Sequence, residues 1–508
     1  MSQENYKYRF AGRMLLLGFG SIGKTLLPLV LRHVQVPRER IAVLAADNVN
    51  RGLAVSAGVR FEQLRLTPAN HRSELVRRLA AGDVLVNVSV NVSSLELVQF
   101  CADHGVLYVD SSIEPWPGGC DDTSLTPAER TNYSMRESVL ALKRRLARCT
   151  TAVVDHGANP GLVSHFAKQA VVELACATGR ATQAPQSGAE WAALVADLDV
   201  RLIQVAERDT QAARVPKAPG EFVNTWSIEG FTSEAVQPAE IGWGTHERTL
   251  PADGAVHESG CGSAIFLERP GALTQVRSWA PRAGCFNGLL ISHDEAISMA
   301  DYFTHRVAGR VVHRPTVHYA YHPCDDALLS MHEFAGRELQ VQPQERLLED
   351  EIVRGGEELG VLIGSGRHGA YWFGSDLSFD AARALVPVGN ATTLQVAAGL
   401  LAALVWAIEH PDRGVVEPDE LDHEPCLAVA RPYLGRLFGT ATDWTPLRDR
   451  HALFPEHVDP HDPWQFVNVR VNAVGFLPLN ARNSAARGEL RPLASAPTAT
   501  TGAKKKTG

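Results

Sequence analysis

The chain has 508 residues, of which 45% are hydrophobic and 21% charged, a composition typical of ordinary globular proteins. This length exceeds what one hydrophobic core usually serves, so we expect more than one domain. The formal net charge is −8 and no long basic stripe occurs, which argues against nucleic acid as a partner.

The cysteines and the apolar segments predict a cytoplasmic protein. The eight cysteines are scattered without CxxC spacing, so we expect reduced thiols, no disulfide framework and no metal site. The sequence MSQENYKYRF at 1–10 lacks the apolar core of a signal peptide. The longest apolar run, at 396–408, is too short to span a bilayer and predicts a buried helix, so we expect no membrane partner.

The first third of the chain predicts a parallel sheet. Short apolar runs indicate buried strands at MLLL (14–17), RIAVLAAD (40–47), DVLVNVSV (83–90) and GVLYVDSS (105–112). Helical patterns lie between them, and Pro28 should bend or shorten the first helix. A fifth strand and a polar turn follow in TAVVDHGANPG (151–161). This alternation predicts an α/β fold with a Rossmann-type doubly wound parallel sheet, covered on both faces.

The rest of the chain has a different pattern. A helix from residue 162 leaves the first domain, and RVVHRPTVHYAYH (310–322) alternates with the period of two that is typical of strands. A hairpin is predicted around 366–369, and a buried helix follows at 390–411. The predicted divisions are a Rossmann domain (1–161), an α+β substrate-binding and dimerisation domain (162–385), a segment packing back on the Rossmann domain (386–490) and a disordered low-complexity tail (491–508).

A glycine motif follows the first strand directly. In Gly18-Phe19-Gly20-Ser21-Ile22-Gly23, the first glycine would form the tight turn, the second would admit a pyrophosphate and the third would let the helix pack on the strand. A purely structural turn is the alternative. Asp47 follows the second strand at the spacing expected of a ribose-binding acid, and it would repel a 2′-phosphate. We therefore predict NAD as the cofactor, although Arg51 lies near enough to weaken that preference.

Polar residues at later strand ends should complete the cofactor pocket. Ligands in open α/β sheets lie outside the carboxyl ends of the strands. Asn87 and Ser89 end the third predicted strand, and Asp110 and Ser111 end the fourth. We predict that they contact the cofactor, with loop capping as the alternative for each.

Six strings then identify a family resemblance. They are, in chain order, GFGSIG (18–23), IEPWPGG (113–119), HGANPGLVSHFAKQA (156–170), AERDTQ (206–211), NTWSIEGFTSE (224–234) and SHDEAISMADYFT (292–304). Together they resemble the bacterial homospermidine synthases, a branch of the saccharopine dehydrogenase-like proteins. The resemblance implies an enzyme that joins two putrescines to homospermidine with loss of ammonia. It also implies NAD as a recycled prosthetic group, and a homodimer.

The matching strings contain residue types that suit a diamine. Two ammonium groups need carboxylates, and the methylenes between them need apolar or aromatic walls. Glu114, Glu207 and Glu234 are the carboxylates, and Trp226 is the aromatic residue. The resemblance implies that Trp226 stabilises a cationic intermediate and that Glu234 anchors the far amine. Without the resemblance, the simpler interpretations would be glutamates on a solvated helix face and a tryptophan in the core.

Four further positions bear on the chemistry. The resemblance implies that Asn159, beside the expected nicotinamide, orients the reacting amine, and we also assign it to the cofactor site. His293 is a candidate for proton transfer or polar contact, because histidine titrates near working pH. Asn91 stands where the family pattern has an aspartate, which leaves the preferred amine open. Lys168 is better explained as a surface lysine or one that pairs with a helix dipole than as a Schiff base.

Two alternatives remain open at this point. A saccharopine- or carboxynorspermidine-type dehydrogenase would have to hold a substrate carboxylate, and Arg201, Arg208 or Arg277 could do so. A non-catalytic NAD-binding protein would need the glycine motif but not Trp226 and the glutamates.

Overall fold

The computed structural model describes residues 8–119, 122–146, 148–180, 183–450, 456–471 and 476–478. Cys120 and the tail predicted at 491–508 lie outside these residues. The α-helices are α1 (Ser21–His33), α2 (Arg51–Ser56), α3 (His71–Val76), α4 (Ser94–His104), α5 (Asn132–Leu146), α6 (Leu162–Ala177), α7 (Gly188–Asp197), α8 (Ile228–Val236), α9 (Asp294–Tyr302), α10 (Asp325–Gly336), α11 (Phe379–Leu385), α12 (Ala391–Glu409), α13 (His423–Ala430) and α14 (Phe466–Val469).

The strands form two large sheets and several short pairs. In chain order they are β1 (Tyr8–Arg9), β2 (Met14–Leu17), β3 (Val34–Gln35), β4 (Ile41–Ala45), β5 (Arg60–Gln63), β6 (Val84–Asn87), β7 (Leu107–Asp110), β8 (Ala152–Val153), β9 (Val200–Asp209), β10 (Ala212–Ala213), β11 (Glu221–Asn224), β12 (Pro238–Gly242), β13 (Thr249–Pro251), β14 (Gly254–Val256), β15 (Ala264–Pro270), β16 (Gln275–Ala280), β17 (Gly284–Leu289), β18 (His305–Val307), β19 (Arg310–His313), β20 (Thr316–His322), β21 (Gln344–Leu347), β22 (Ile352–Arg354), β23 (Gly356–Ser365), β24 (Gly369–Ser378), β25 (Val415–Val416), β26 (Arg436–Thr442) and β27 (Phe476–Pro478).

The first sheet confirms the predicted Rossmann-type fold. Its order is β25-β8-β7-β6-β2-β4-β5, and every neighbouring pair is parallel. Met14 and Leu16 of β2 belong to one hydrophobic cluster, whereas Leu15 and Leu17 belong to another on the opposite face. Burial on both faces explains why the strand is a continuous apolar run.

Pro28 does not end the first helix. Helix α1 continues through Pro28 to His33, so the expectation of a shorter helix was wrong. Proline removes one backbone hydrogen bond, but Leu26, Leu27 and Leu29 around it are buried in the core. Packing of this apolar face outweighs the lost hydrogen bond.

The second sheet is mixed and has ten strands. Its main path is β14-β15-β12-β20-β9-β23-β24-β26, with β17 pairing β20 and β16 pairing β17. Strands β19 and β20 lie within the predicted 310–322 segment, and β23 and β24 form the predicted hairpin. β9 and β20 are parallel neighbours at the centre, so their side chains alternate together toward each face.

The segment from 386 onward contributes to both sheets. β25 joins the edge of the parallel sheet, and β26 joins the mixed sheet. Helix α12 packs against α1 and β7. By length and composition α12 could cross a membrane, but 89% of its most apolar window is buried inside the protein. It is therefore a core helix, as its apolar run predicted.

Candidate active site

The glycine turn leaves space for a dinucleotide phosphate. Gly18 has a φ of 91°, and a Cβ atom there would lie 2.6 Å from the Val88 carbonyl oxygen. A Cβ on Gly23 would meet the Gly18 carbonyl oxygen at 2.7 Å, which allows the close packing of α1 on the turn. At Gly20 a Cβ would enter open space, where a phosphate can approach the backbone.

The N-terminus of α1 points its backbone donors at the same place. Gly20 is the N-cap and provides no capping side chain, and the first turn contains no acidic residue. The first N–H groups of the helix and its dipole therefore remain available to an anion. This donor set fits the diphosphate of NAD.

A groove of about 270 Å³ runs along this turn. Of the predicted cofactor residues, those that line it are Gly18, Phe19, Gly20, Ser21, Ile22, Asp47 and Ser89. Asp47 is exposed, two residues beyond β4, and accepts a hydrogen bond from the Val49 backbone at 3.0 Å. Arg51 does not line the groove, but Arg65 does. The groove is thus lined by a cation that the sequence did not indicate.

Two predicted cofactor residues face the protein interior, and we correct their assignment. The Asn87 amide donates to the Tyr108 hydroxyl at 3.2 Å and accepts from Ser89 Oγ at 2.6 Å. Fully buried Asp110 accepts from the Tyr108 hydroxyl at 2.7 Å and from the Asp155 backbone at 2.7 Å. These bonds fix the strand ends from beneath the groove. Ser111 lines the adjoining cavity instead.

A smaller cavity of about 120 Å³ adjoins the groove. The two share Ile22, Val88, Ser89, Val90 and Ser227 in their linings. All six residues predicted to be catalytic line this cavity: Glu114, Asn159, Glu207, Trp226, Glu234 and His293. They come from five separate strings of the sequence, with Trp226 and Glu234 in the same one.

Glu207 occupies the centre of a hydrogen-bonded group. Its Oε2 atom accepts from Asn159 Nδ2 at 2.7 Å and from the Tyr319 hydroxyl at 2.5 Å. Burial raises the pKa of Glu207 to about 7, although Tyr319, His293 and Asn159 all favour the charged form. A carboxyl group with a pKa near neutrality can take up and release protons during a reaction.

His293 is held between two carboxylates at the N-cap of α9. Its Nε2 atom lies 3.2 Å from Glu234 Oε2, and its Nδ1 atom lies 3.3 Å from Glu295 Oε1. Burial alone would lower the pKa of His293, but Glu295 and Glu234 outweigh it and raise the pKa well above its usual value. The two carboxylates therefore favour the protonated form of the imidazole.

Trp226 and Glu114 form other parts of the cavity wall. Trp226 Nε1 donates to the Tyr321 hydroxyl at 3.2 Å, and its ring packs 5.8 Å from that of Phe231. This leaves the indole half-buried, with a surface on the cavity. Burial raises the pKa of Glu114 to about 8, opposed by the Asn91 backbone N–H and reinforced by the charge of Glu234.

Several residues at the site were missed from the sequence. Tyr319 lines the cavity, Glu295 pairs with His293, and buried Glu357 accepts a hydrogen bond from Thr392 at 2.5 Å. The period of two in 310–322 placed Tyr319 in a strand. The pairing of β20 with β9, which brings Tyr319 beside Glu207, has no signature in a single sequence.

Asn91 lies on the cofactor groove and is absent from the lining of the cavity. It has a φ of 60°, in the left-handed region that asparagine tolerates better than most residues. Its backbone N–H donates to Glu114 at 3.3 Å, and its side-chain amide donates to Glu229. This geometry therefore does not support the idea that asparagine in place of aspartate at position 91 removes a direct contact with the amine.

A larger cleft of about 950 Å³ shares no lining residue with the cavity. Lys168 lies on it but is only 2% exposed, so of the two predicted roles that of a surface lysine is wrong. Its ammonium donates to the carbonyl oxygens of Asp419 and Leu421 at 2.5 and 2.9 Å. These contacts occupy Lys168 away from the candidate site.

One buried group in the described part of the chain has the composition of a metal site. The ligand atoms of His156, His165 and Cys426 lie within 4.8 Å of one another. The Nε2 atoms of the two histidines are 2.8 Å apart, as expected of a hydrogen bond. The two Nε2 atoms therefore pair with each other, and none of the three residues lines the cavity or the groove.

Comparisons with known proteins agree with this geometry. Residues 14–154 match the saccharopine dehydrogenase NADP binding domain, and residues 157–440 match the saccharopine dehydrogenase C-terminal domain. The chain is 49% identical to a homospermidine synthase from Blastochloris viridis, covering 91% of this chain and 98% of that protein. It is 46% identical to one from Mesorhizobium japonicum, covering 93% and 99% respectively.

A solved structure is also similar over nearly the whole chain. The homospermidine synthase from Legionella pneumophila, in complex with NAD, superimposes with a TM-score of 0.85 at 45% identity. The alignment covers 91% of this chain and 98% of that one.

Proposed function

The chain belongs to the homospermidine synthases, within the saccharopine dehydrogenase family, and from this we propose that it joins two putrescines into homospermidine with release of ammonia. The observation that carries the proposal is the composition of the cavity. Three glutamates and a tryptophan line it, and its described lining contains no lysine or arginine. Such a site favours a chain with two ammonium groups.

We assign NAD to the groove, held by the residues of the glycine turn and by Asp47. When bound there, NAD would accept a hydride from the substrate amine and later return it. The overall reaction converts two diamines into one triamine and ammonia, so it has no net oxidant or reductant.

The side chains of the cavity have different roles in the rest of the reaction. Asn159 and Glu207 orient the reacting amine, and Glu207 exchanges its protons as the amine becomes an imine and a second amine adds. The indole of Trp226 stabilises the positive charge of that imine. Glu234, ordered by His293, holds the far ammonium group, and Glu114 supplies a further carboxyl.

The dehydrogenase alternative lacks support from the cavity. Arg201 pairs with Asp199 and Asp462, Arg208 with Asp325, and Arg277 with Glu456. None of these arginines is in the cavity lining, so no guanidinium is in place there to bind a substrate carboxylate. The glutamates and Trp226, which NAD binding alone would not require, likewise disfavour a non-catalytic NAD-binding protein.

We further propose, from composition and charge, a cytoplasmic protein without nucleic-acid or membrane partners and, from the family resemblance, a homodimer. The deciding experiment incubates the protein with putrescine and a small amount of NAD and identifies the products by mass. Homospermidine and ammonia should form without net change in NADH absorbance. Stoichiometric consumption of NADH with a keto acid would contradict the proposal.

A further inference from the structure

The cofactor groove has a second wall that does not come from the parallel sheet. Ser227, Glu229 and Leu347 line the groove together with the glycine turn. Ser227 caps α8, Glu229 lies in its first turn, and Leu347 ends β21. A dinucleotide in the groove would therefore contact two separate parts of the chain.

A hydrogen bond links the two walls at one point. The side-chain amide of Asn91, in the loop after β6, donates to Oε1 of Glu229. The backbone N–H of Asn91 donates to Glu114, which fixes the loop from the other side. Asn91 and Glu229 both line the groove, so this hydrogen bond joins its two walls.

An ion pair links them at a second point. Lys24, the residue after the last glycine of the turn, places its Nζ atom 2.5 Å from Glu349 Oε1. Glu349 lies two residues beyond Leu347. The lysine side chain is only 6% exposed, and Coulomb attraction is stronger where water is excluded.

We propose that the Asn91–Glu229 and Lys24–Glu349 contacts form a clasp that retains the dinucleotide through a complete catalytic cycle. The inference rests on the proposed function, because an amine transfer without net redox needs the same dinucleotide in both halves of the reaction. Loss of the reduced form after the first half would leave an imine with no reductant. A clasp formed by the two walls prevents that loss without adding a step to the chemistry.

The test measures how fast NADH leaves the protein. Bound NADH is followed by its fluorescence after mixing with excess NAD, in wild type and in the variants N91G, E229A, K24M and E349A. Glycine suits the left-handed backbone at position 91, so N91G removes the amide without new strain. Each variant should release NADH roughly tenfold faster, since each loses a charge-assisted contact.

Controls separate the clasp from a general loss of structure. E229Q keeps an acceptor for Asn91 and should release NADH more slowly than E229A. E268A alters an exposed glutamate on β15, outside the groove lining, and should match wild type. The N91G/E229A double variant should be no faster than either single variant, because both remove one contact. If K24M does not fold, E349A tests the same ion pair from its more exposed end.

A second measurement follows NADH that escapes during turnover, trapped by lactate dehydrogenase and pyruvate. The clasp variants should leak NADH with putrescine, whereas wild type should not. Release at the wild-type rate in N91G and in E349A would overturn the clasp even if homospermidine forms. Faster release in the variants, together with no homospermidine formed by the wild type, would leave the clasp standing and overturn the proposed function.

Discussion

The Nε2 atom of His293 lies 3.2 Å from Glu234 Oε2, inside a cavity that we assign to a dication. A cationic imidazole would repel that substrate if its charge were unbalanced. Glu295 lies 3.3 Å from the other ring nitrogen and is outside the cavity lining, so it offsets the imidazolium. The Glu234 side chain is therefore left to face the ammonium group.

The substitution Glu234→Gln removes that charge while keeping the shape of the side chain. We expect kcat/KM for putrescine to fall roughly 10- to 100-fold, as for loss of a charge-assisted hydrogen bond. Butylamine as the second amine has no far ammonium group, so its use should be much less affected. Glu268→Gln is the matched control. Equal losses with putrescine and butylamine would contradict an anchoring role.

The indole of Trp226 should act through its π face. Trp226→Phe retains an aromatic face and should keep most of the activity, whereas Trp226→Ala should lose roughly a further 3- to 30-fold in kcat/KM. Steady-state rates of homospermidine formation measure the difference. Because Trp226 also donates to Tyr321, the variant Tyr321→Phe controls for loss of that hydrogen bond. Equal rates for Trp226→Phe and Trp226→Ala would exclude the cation–π role.

Glu207 should determine the rising limb of the pH–activity profile near pH 7. Burial raises its pKa to about 7, and only the deprotonated carboxylate accepts a proton. The Tyr319 hydroxyl donates to the carboxylate and stabilises its charged form. Tyr319→Phe should therefore raise the pKa of Glu207 and move the limb to higher pH. A limb that stays in place in Tyr319→Phe and in Glu207→Gln must belong to another group.

Asp47 should favour NAD over NADP. Its carboxylate lines the groove where the ribose is expected, and Arg65 is close enough to line the same groove. Asp47→Ser removes the repulsion of a 2′-phosphate and leaves Arg65 to attract it. We expect the affinity ratio of NADPH to NADH to rise roughly tenfold, as measured by fluorescence titration. Asp47→Ser combined with Arg65→Ala should lose most of that gain.

Glu240 should make the stability of the fold depend on pH. It accepts from the backbone of Asn132 and Tyr133 and from Ser292, yet burial raises its pKa to about 8 from the usual 4.5. The folded state thus binds this proton more tightly than the unfolded state. The contribution of this proton to the free energy of unfolding is complete below pH 4.5 and is lost as the pH rises through 8.

Urea unfolding at pH 6 and pH 9 tests whether stability falls as the pH rises. Wild type should lose on the order of a few kcal/mol in the free energy of unfolding over this range, whereas Glu240→Gln should lose measurably less. Glu268→Gln, at an exposed position, should behave as wild type. If the free energy of unfolding depended on pH identically in Glu240→Gln and in wild type, the proton on Glu240 could not be the cause of that dependence.

The parallel sheet was predictable because burial on both faces leaves a continuous apolar run, as in Met14–Leu17. The six candidate catalytic residues were found through the strings shared with the family. Nothing in the local sequence distinguishes a catalytic glutamate such as Glu207 from any other glutamate in a strand. Local patterns could not show which way a side chain turns at a strand end. Asn87 and Asp110 both bond the Tyr108 hydroxyl, Asn87 from the neighbouring strand β6 and Asp110 from two residues along β7.

Helix α8 is only nine residues long, yet it carries Glu229 on the cofactor groove and Glu234 on the amine cavity, with Trp226 two residues before its start. The backbone of α8 carries both Glu229 and Glu234, so a shift of this short helix would move both positions together. Binding in the cofactor groove would thus displace side chains of the amine cavity, and binding in the cavity would displace side chains of the groove. Binding of the diamine and of the dinucleotide should therefore be thermodynamically linked, each strengthening or weakening the other by the same factor.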